Sequence, residues 1–114
     1  MNQTIQITGS EEVIVLLTLQ FKPGTAEKVL ASVVPSIRPT RAEAGNKEFQ
    51  VFKVSGSADK VIIFERWKSQ AALEAHWKLP YTEEALALFK VYLVEPLSVT
   101  KDVLYLMDMM KPGE

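Results

Sequence analysis

Apolar residues along this chain switch between two spacings in a fixed order, and that order leaves few folds open. Val13, Val15, Leu17, Leu19 and Phe21 fall at every second position, the period of a strand with one buried face. Pro23-Gly24 ends the run, and Thr25 is placed to cap a helix whose apolar positions are Val29, Leu30, Val33, Val34 and Ile37. Pro35 and Pro39 fall off that face; each removes a backbone donor, so a kink or break is expected there. Ala44-Gly45-Asn46 reads as the stop. Two strands are expected next, over 48–54 and 60–67, joined by Ser55-Gly56-Ser57-Ala58-Asp59 as a hairpin loop somewhat longer than minimal. Ser69 can cap a short helix that puts Leu73, His76 and Trp77 on one side. Pro80 interrupts it, and Thr82 caps a second piece with Ala85, Leu86, Phe89, Tyr92 and Leu93 as its apolar side. Leu97 to Met109 reads as a last strand with a polar middle. The order β-α-β-β-α-β is the split βαβ, ferredoxin-like arrangement: an α+β fold with one antiparallel sheet. A single domain over 1–114 is expected, with its core at about 13–109 and loose ends at 1–10 and 111–114.

The hairpin strands add a constraint. Helices cover one side of such a sheet, yet Phe49 and Val51 oppose Phe52 and Val54, and Val61 and Ile63 oppose Ile62 and Phe64. A sheet with one wet face alternates cleanly, so something must cover the second face. A homodimer is the expected cover, since symmetric pairing is the commonest way to bury such a surface. A ligand cavity within a monomer is the other way to account for it.

Composition narrows the chemistry. Of 114 residues, 47% are hydrophobic and 24% charged, with a net charge of −1 and no basic stripe, so nucleic acid is not the expected partner. The absence of cysteine excludes disulfides, thiolate metal sites and a cysteine nucleophile, and one histidine is too few for a histidine-built metal site. No phosphate-binding glycine loop is present, so neither a nucleotide nor a flavin is expected. No stretch is long enough to span a bilayer and the start lacks signal-peptide character, so a cytoplasmic protein without membrane contact is the expectation.

His76 is the one side chain that titrates near neutrality unperturbed. A lone histidine on the apolar side of a helix is more often a packed, hydrogen-bonded core residue than a catalyst. Its neighbours favour more: Trp67 closes the preceding strand, and Tyr81 lies just past the helix break. Aromatic walls around one titratable group suit a flat organic ligand. Glu65 and Arg66 alternate across the strand end, so one of them must point toward the interior. Arg66 is a candidate to orient substrate, with an ion pair at the strand end as the plain alternative. Trp77 and Phe89 are expected in the core, and Tyr92 and Tyr105 in structural roles.

The pieces Phe21-Lys22-Pro23-Gly24, Arg38-Pro39-Thr40-Arg41-Ala42-Glu43-Ala44-Gly45-Asn46, and Phe64-Glu65-Arg66-Trp67 leading to Ala72-Leu73-Glu74-Ala75-His76 occur in an order and spacing that resembles the antibiotic biosynthesis monooxygenase (ABM) domain family. The resemblance runs from about Val13 to Tyr105. It implies a dimeric α+β barrel, two ferredoxin-like protomers packed through their sheets, with a cavity between sheet and helices in each. Members include cofactor-independent monooxygenases of phenols and quinols, haem-degrading oxygenases and an isomerase of a small phosphorylated carbonyl compound. The histidine closing Ala-Leu-Glu-Ala-His is typical of the quinol-monooxygenase-like members and corresponds to His76. Two departures stand out. Tyr81 occupies the place of a second histidine found in many relatives. Leu16, Leu17 and Thr18 replace the asparagine of haem-degrading members, which also carry a tryptophan where His76 stands, so haem degradation is disfavoured.

The resulting expectation is a cofactor-free monooxygenase of a small phenolic, quinol or polycyclic aromatic substrate. His76 would act as base, Trp67 and Tyr81 as cavity walls, and Arg66 as anion stabiliser, with O2 as co-substrate and no metal or cofactor. A carbonyl isomerase and a non-catalytic ligand-binding dimer remain as alternatives.

Overall fold

A computed structural model describes residues 12–97 and the backbone of 103–105. The elements are β1 (Val13–Gln20), α1 (Ala26–Val33), a 3₁₀ turn (Val34–Ser36), α2 (Ile37–Arg41), β2 (Asn46–Val54), β3 (Ser57–Trp67), α3 (Gln70–Trp77), α4 (Pro80–Tyr92) and β4 (Val103–Tyr105). They form one antiparallel sheet in the order β2-β3-β1-β4, the expected ferredoxin-like topology. The last strand is seen only at Val103–Tyr105, and Leu97 lies outside it. The rest of the strand expected over 97–109 lies outside the described residues, as do both ends expected to be loose.

The first strand alternates as its sequence demands. Val13, Val15, Leu17, Leu19 and Phe21 are buried beneath the helices, where they meet Val29, Val33, Leu73 and Phe89. The Phe21 and Phe89 rings pack with centroids 5.8 Å apart, tying the end of β1 to α4. The proline-containing helix divides as expected: Pro35 falls in the 3₁₀ turn between α1 and α2, where its missing N–H breaks the ladder.

Four local expectations are corrected. The hairpin loop is not 55–59 but the two residues Ser55-Gly56, with Gly56 at φ +78° and β3 beginning at Ser57. The extra residues form an irregularity in β3 between the pairs Val54–Ser57 and Lys53–Val61, which turns Asp59 toward α1. There the Asp59 carboxylate accepts from Gly24 N (2.9 Å) and Ala26 N (3.1 Å), doing the capping expected of Thr25. Those backbone donors hold the Asp59 carboxyl below its ordinary pKa. Thr82 likewise caps nothing. Pro80 opens α4 in its first turn, where a missing N–H costs no bond, and Thr82 sits buried one turn in. Gly45, finally, is not a left-handed stop. A Cβ there would stand 2.3 Å from Ala72 Cβ, so the glycine is required for close packing on α3.

The sheet's other face is open. Phe52 and Leu16 are 48% and 42% exposed, and Ile14, Ile62 and Phe64 are half-buried beside them. Among the described residues no helix is long and apolar enough to cross a membrane.

Candidate active site

Residues 61, 63, 65 and 67 of β3 share the helix-covered face, so the alternation that buries Val61 and Ile63 also buries Glu65 and Trp67. Arg66 necessarily faces the opposite way. It pairs with Glu12, and more distantly with Glu48 at 3.5 Å, in a half-exposed ion network. The guanidinium beside Glu12 holds that carboxyl below its usual range. The structure therefore does not bring Arg66 to the interior; its plain alternative, the strand-end ion pair, is what forms.

Beneath the helices lies a cavity of about 60 Å³. Its apolar wall includes Val15, Leu17, Phe49, Ile63, Leu86 and Phe89, and the lining residues with polar side-chain atoms are Ser36, Thr40, Glu65, His76, Trp77 and Thr82. Trp77 and Phe89, expected in the core, line this space as well as packing. Leu97 closes part of the rim.

His76 is 6% exposed. Ser69 Oγ caps α3 by accepting from Ala72 N at 3.1 Å, fixing the helix that carries it. Its Nδ1 lies 2.8 Å from Glu43 Oε2 and 3.4 Å from Thr82 Oγ1. In the neutral imidazole, a carboxylate acceptor at Nδ1 places the ring proton there and leaves Nε2 with its lone pair. Among the described residues Nε2 has no hydrogen-bond partner, and the ring lines the cavity. Trp67, wholly buried, packs against the imidazole with centroids 4.6 Å apart and planes at 36°. It is thus a support behind His76 rather than a cavity wall.

Tyr81 also falls outside the cavity lining; it borders a shallow outer groove with Pro35, Pro39 and Glu84. Its hydroxyl donates to the same Glu43 Oε2 that holds His76. Burial, then the Glu43 hydrogen bond and charge, push the Tyr81 phenol up to about 12, with a smaller opposing pull from Thr40. Tyr81 is therefore a neutral donor that anchors Glu43. Thr40 Oγ1 is fully buried at the cavity and makes no hydrogen bond of normal geometry.

Glu65 is the second titratable group in the cavity. Trp67 Nε1 donates to its Oε1 at 2.7 Å. Burial is the main cause that pushes its carboxyl up to about 7; the charge on Glu43 adds to this and the Trp67 hydrogen bond partly offsets it. Sequence reasoning had left open which of Glu65 and Arg66 faces inward, and it missed Glu43, Thr40 and Thr82 as site residues. Glu43 lies 33 positions from His76 and reaches it because Gly45 lets its loop press on α3, where Lys68 N also bonds Gly45 O at 2.9 Å. The available signal was its place in the Arg41–Asn46 stretch that carried the family resemblance. No group of three or more His, Asp or Glu side chains among the described residues is arranged to hold a metal ion.

Known proteins share this frame. YcnE of Bacillus subtilis (strain 168) is 28% identical over 83 residues, covering 73% of this chain and 87% of YcnE. Rv0793 of Mycobacterium tuberculosis is 28% identical over 88 residues, covering 77% of this chain and 86% of that protein. The solved structure of Rv0793 matches with a TM-score of 0.74 and 26% identity, over 88% of this chain and 99% of that one. The structure of PA3566 from Pseudomonas aeruginosa, at 22% identity over 86% of this chain and 96% of that one, has the same fold with a TM-score of 0.71. The model of the family described as antibiotic biosynthesis monooxygenase matches residues 12–88, well over half of the chain and including Glu43, Glu65, His76 and Tyr81. This chain belongs to the antibiotic biosynthesis monooxygenase family.

Proposed function

We propose that the protein is a cofactor-independent monooxygenase of a small phenolic or quinol substrate. The observation that carries this reading is His76 at the cavity, with Nδ1 on a carboxylate and Nε2 unpartnered. That is the arrangement of a general base able to take a hydroxyl proton in an apolar space. YcnE and Rv0793, both provisionally named as monooxygenases, are consistent with it. In this scheme His76 Nε2 takes the substrate O–H proton and the resulting electron-rich anion passes an electron to O2. Radical recombination at a ring carbon gives a peroxide that takes the proton back from His76, and loss of water with the ring C–H hydrogen then gives a quinone. One O2 is consumed per phenol, one oxygen atom entering the ring and the other leaving as water. Glu43 and Tyr81 hold the imidazole, and Trp67 fixes its plane. At about 60 Å³ the cavity exceeds the ~10–15 Å³ that one water needs but falls short of the ~150 Å³ of a cavity known to take benzene. A single ring enters only as the rim widens, and polycyclic substrates require more.

The open sheet face, with Phe52 and Leu16 exposed, supports pairing of two copies as a homodimer. Light scattering of the wild type against Phe52→Glu tests that pairing, since a monomeric wild type contradicts it. An oxygen-uptake screen over quinols, catechols and naphthols, with an anaerobic control, tests the activity. Uptake that falls by about 10²–10⁴-fold in His76→Ala supports the reading. Turnover that persists without oxygen assigns the same base to an isomerase, and binding without turnover assigns the cavity to a ligand-binding protein.

A further inference from the structure

We infer that Glu65, in its neutral acid form, is the hydrogen-bond donor that receives the substrate oxygen once His76 has taken its proton. The inference rests on the phenol-oxidising reading above and names the anion stabiliser that reading requires. Among the described residues, the lining that an anion would meet has no lysine or arginine; Arg66 is turned to the other face and bonded to Glu12. The other side-chain donors in the lining are the hydroxyls of Ser36, Thr40 and Thr82 and the indole N–H of Trp77. Ser36 Oγ is committed to Val33 O at 2.7 Å, and Thr82 Oγ1 lies against His76 Nδ1. Thr40 Oγ1 is buried and, among the described residues, makes no hydrogen bond of normal geometry, but it lies close enough to Tyr81 to lower that phenol's pKa, so it is partly engaged there.

Glu65 is set differently. Its only hydrogen bond among the described residues is the one that Oε1 accepts from Trp67, so its other oxygen can carry the proton and donate. The groups around it favour that state. Ile63 precedes it on β3, Val15 faces it across β1 and Phe49 across β2, all apolar. The α2–β2 loop brings the Glu43 carboxylate, whose charge opposes a second one, while α3 brings His76 and α4 brings Tyr81 and Thr82. An ionised Glu65 would repel a phenolate; a neutral one stabilises it as a buried acid donating to an oxyanion. Transfer of the phenol proton to Nε2 moves no charge in or out of the cavity. The imidazolium formed is matched by the phenolate and faced by Glu43.

The test uses 4-nitrophenol under anaerobic conditions, because its visible absorbance reports how much of the bound dye is ionised. The inference predicts that the dye binds the wild type at pH 6 with its ionised fraction raised at least ~3-fold over free dye. It further predicts that affinity for the dye anion falls as pH rises through about 7. Glu65→Gln, which keeps a donor and cannot ionise, is expected to retain affinity at pH 8, and Glu65→Leu to lose it about 10-fold or more at both pH values. Dye that fails to bind, stays neutral when bound, or binds Glu65→Leu as well as wild type overturns the inference. So does affinity that rises with pH in the wild type and collapses in Glu65→Gln, which would make Glu65 an acceptor. Oxygen uptake unaffected in Glu65→Leu sinks the donor role and spares the monooxygenase reading. The expected dye behaviour without uptake of oxygen on any phenol does the reverse.

Discussion

Two adjacent residues of β3 carry opposite charges and meet opposite fates. Arg66 lies on the open face, half in water, where Glu12 and Glu48 answer its charge. Glu65, one residue earlier, lies under the helices, 6% exposed, with one indole N–H and no cation. Strand geometry alone sends them apart, since successive side chains point to opposite faces. Solvation does the rest. The wet face turns its charges into an ion pair of ordinary surface kind, while the dry face turns a carboxyl into a group that titrates near neutrality. The side chains of the candidate site are therefore on the covered face.

Breaking the dry face should cost most. Trp67→Ala removes the buried support shared by Glu65 and His76 and is expected to lower stability by about 3–5 kcal/mol, read by denaturant unfolding. A destabilisation under 1 kcal/mol would show that the cavity is not built on this side chain. The next largest effect depends on pH. The pKa of Glu65 is raised in the folded state from 4.5 to about 7, so its contribution is full below 4.5 and lost as pH rises through about 7. The loss approaches about 3 kcal/mol, at ~1.4 kcal/mol per pKa unit. Glu65→Gln should remove this dependence, gaining on the wild type between pH 5 and pH 8 in parallel urea titrations. Gly45→Ala should cost about 1–3 kcal/mol, because the new methyl displaces Ala72 and pushes the Glu43 loop from α3. Activity should drop with it; an unchanged Tm would mean that loop and helix are not in register-setting contact. Smallest is the wet face. Arg66→Gln should cost about 1 kcal/mol or less and lose most of that in high salt. Its pH dependence has the opposite sign to that of Glu65: the lowered Glu12 pKa gives stability that is present above the usual carboxylate range and lost as pH falls.

Periodicity made most of the fold legible. The alternation of Val13–Phe21, the paired strands and the proline-broken helix are local patterns, and tertiary packing did not override them. Parity also contained more than was read from it: counting by twos from Val61 through Ile63 puts Glu65 and Trp67 inside and Arg66 outside. The hairpin differs from expectation because Ser57–Asp59 looks like loop, while Ser55-Gly56 closes the turn and Asp59 is drawn off to cap α1. His76 was found because it is unique in the chain. Glu43 was not, because its meeting with His76 depends on two elements packing at a glycine, and no local period encodes a contact across 33 residues. Tyr81 sat close in sequence and was placed at the wall, whereas its hydroxyl turns to Glu43 and its ring to an outer groove.

The account depends on the covered face being dry enough to keep a carboxyl protonated beside His76. Carbon-13 NMR of glutamate-labelled protein, with Glu65→Gln to assign the resonance, titrates that carboxyl directly. A Glu65 midpoint at about 7 is the expected result. A midpoint near 4.5, the ordinary value for a solvated glutamate, would mean that water reaches the group freely and that the two faces of β3 do not differ as described.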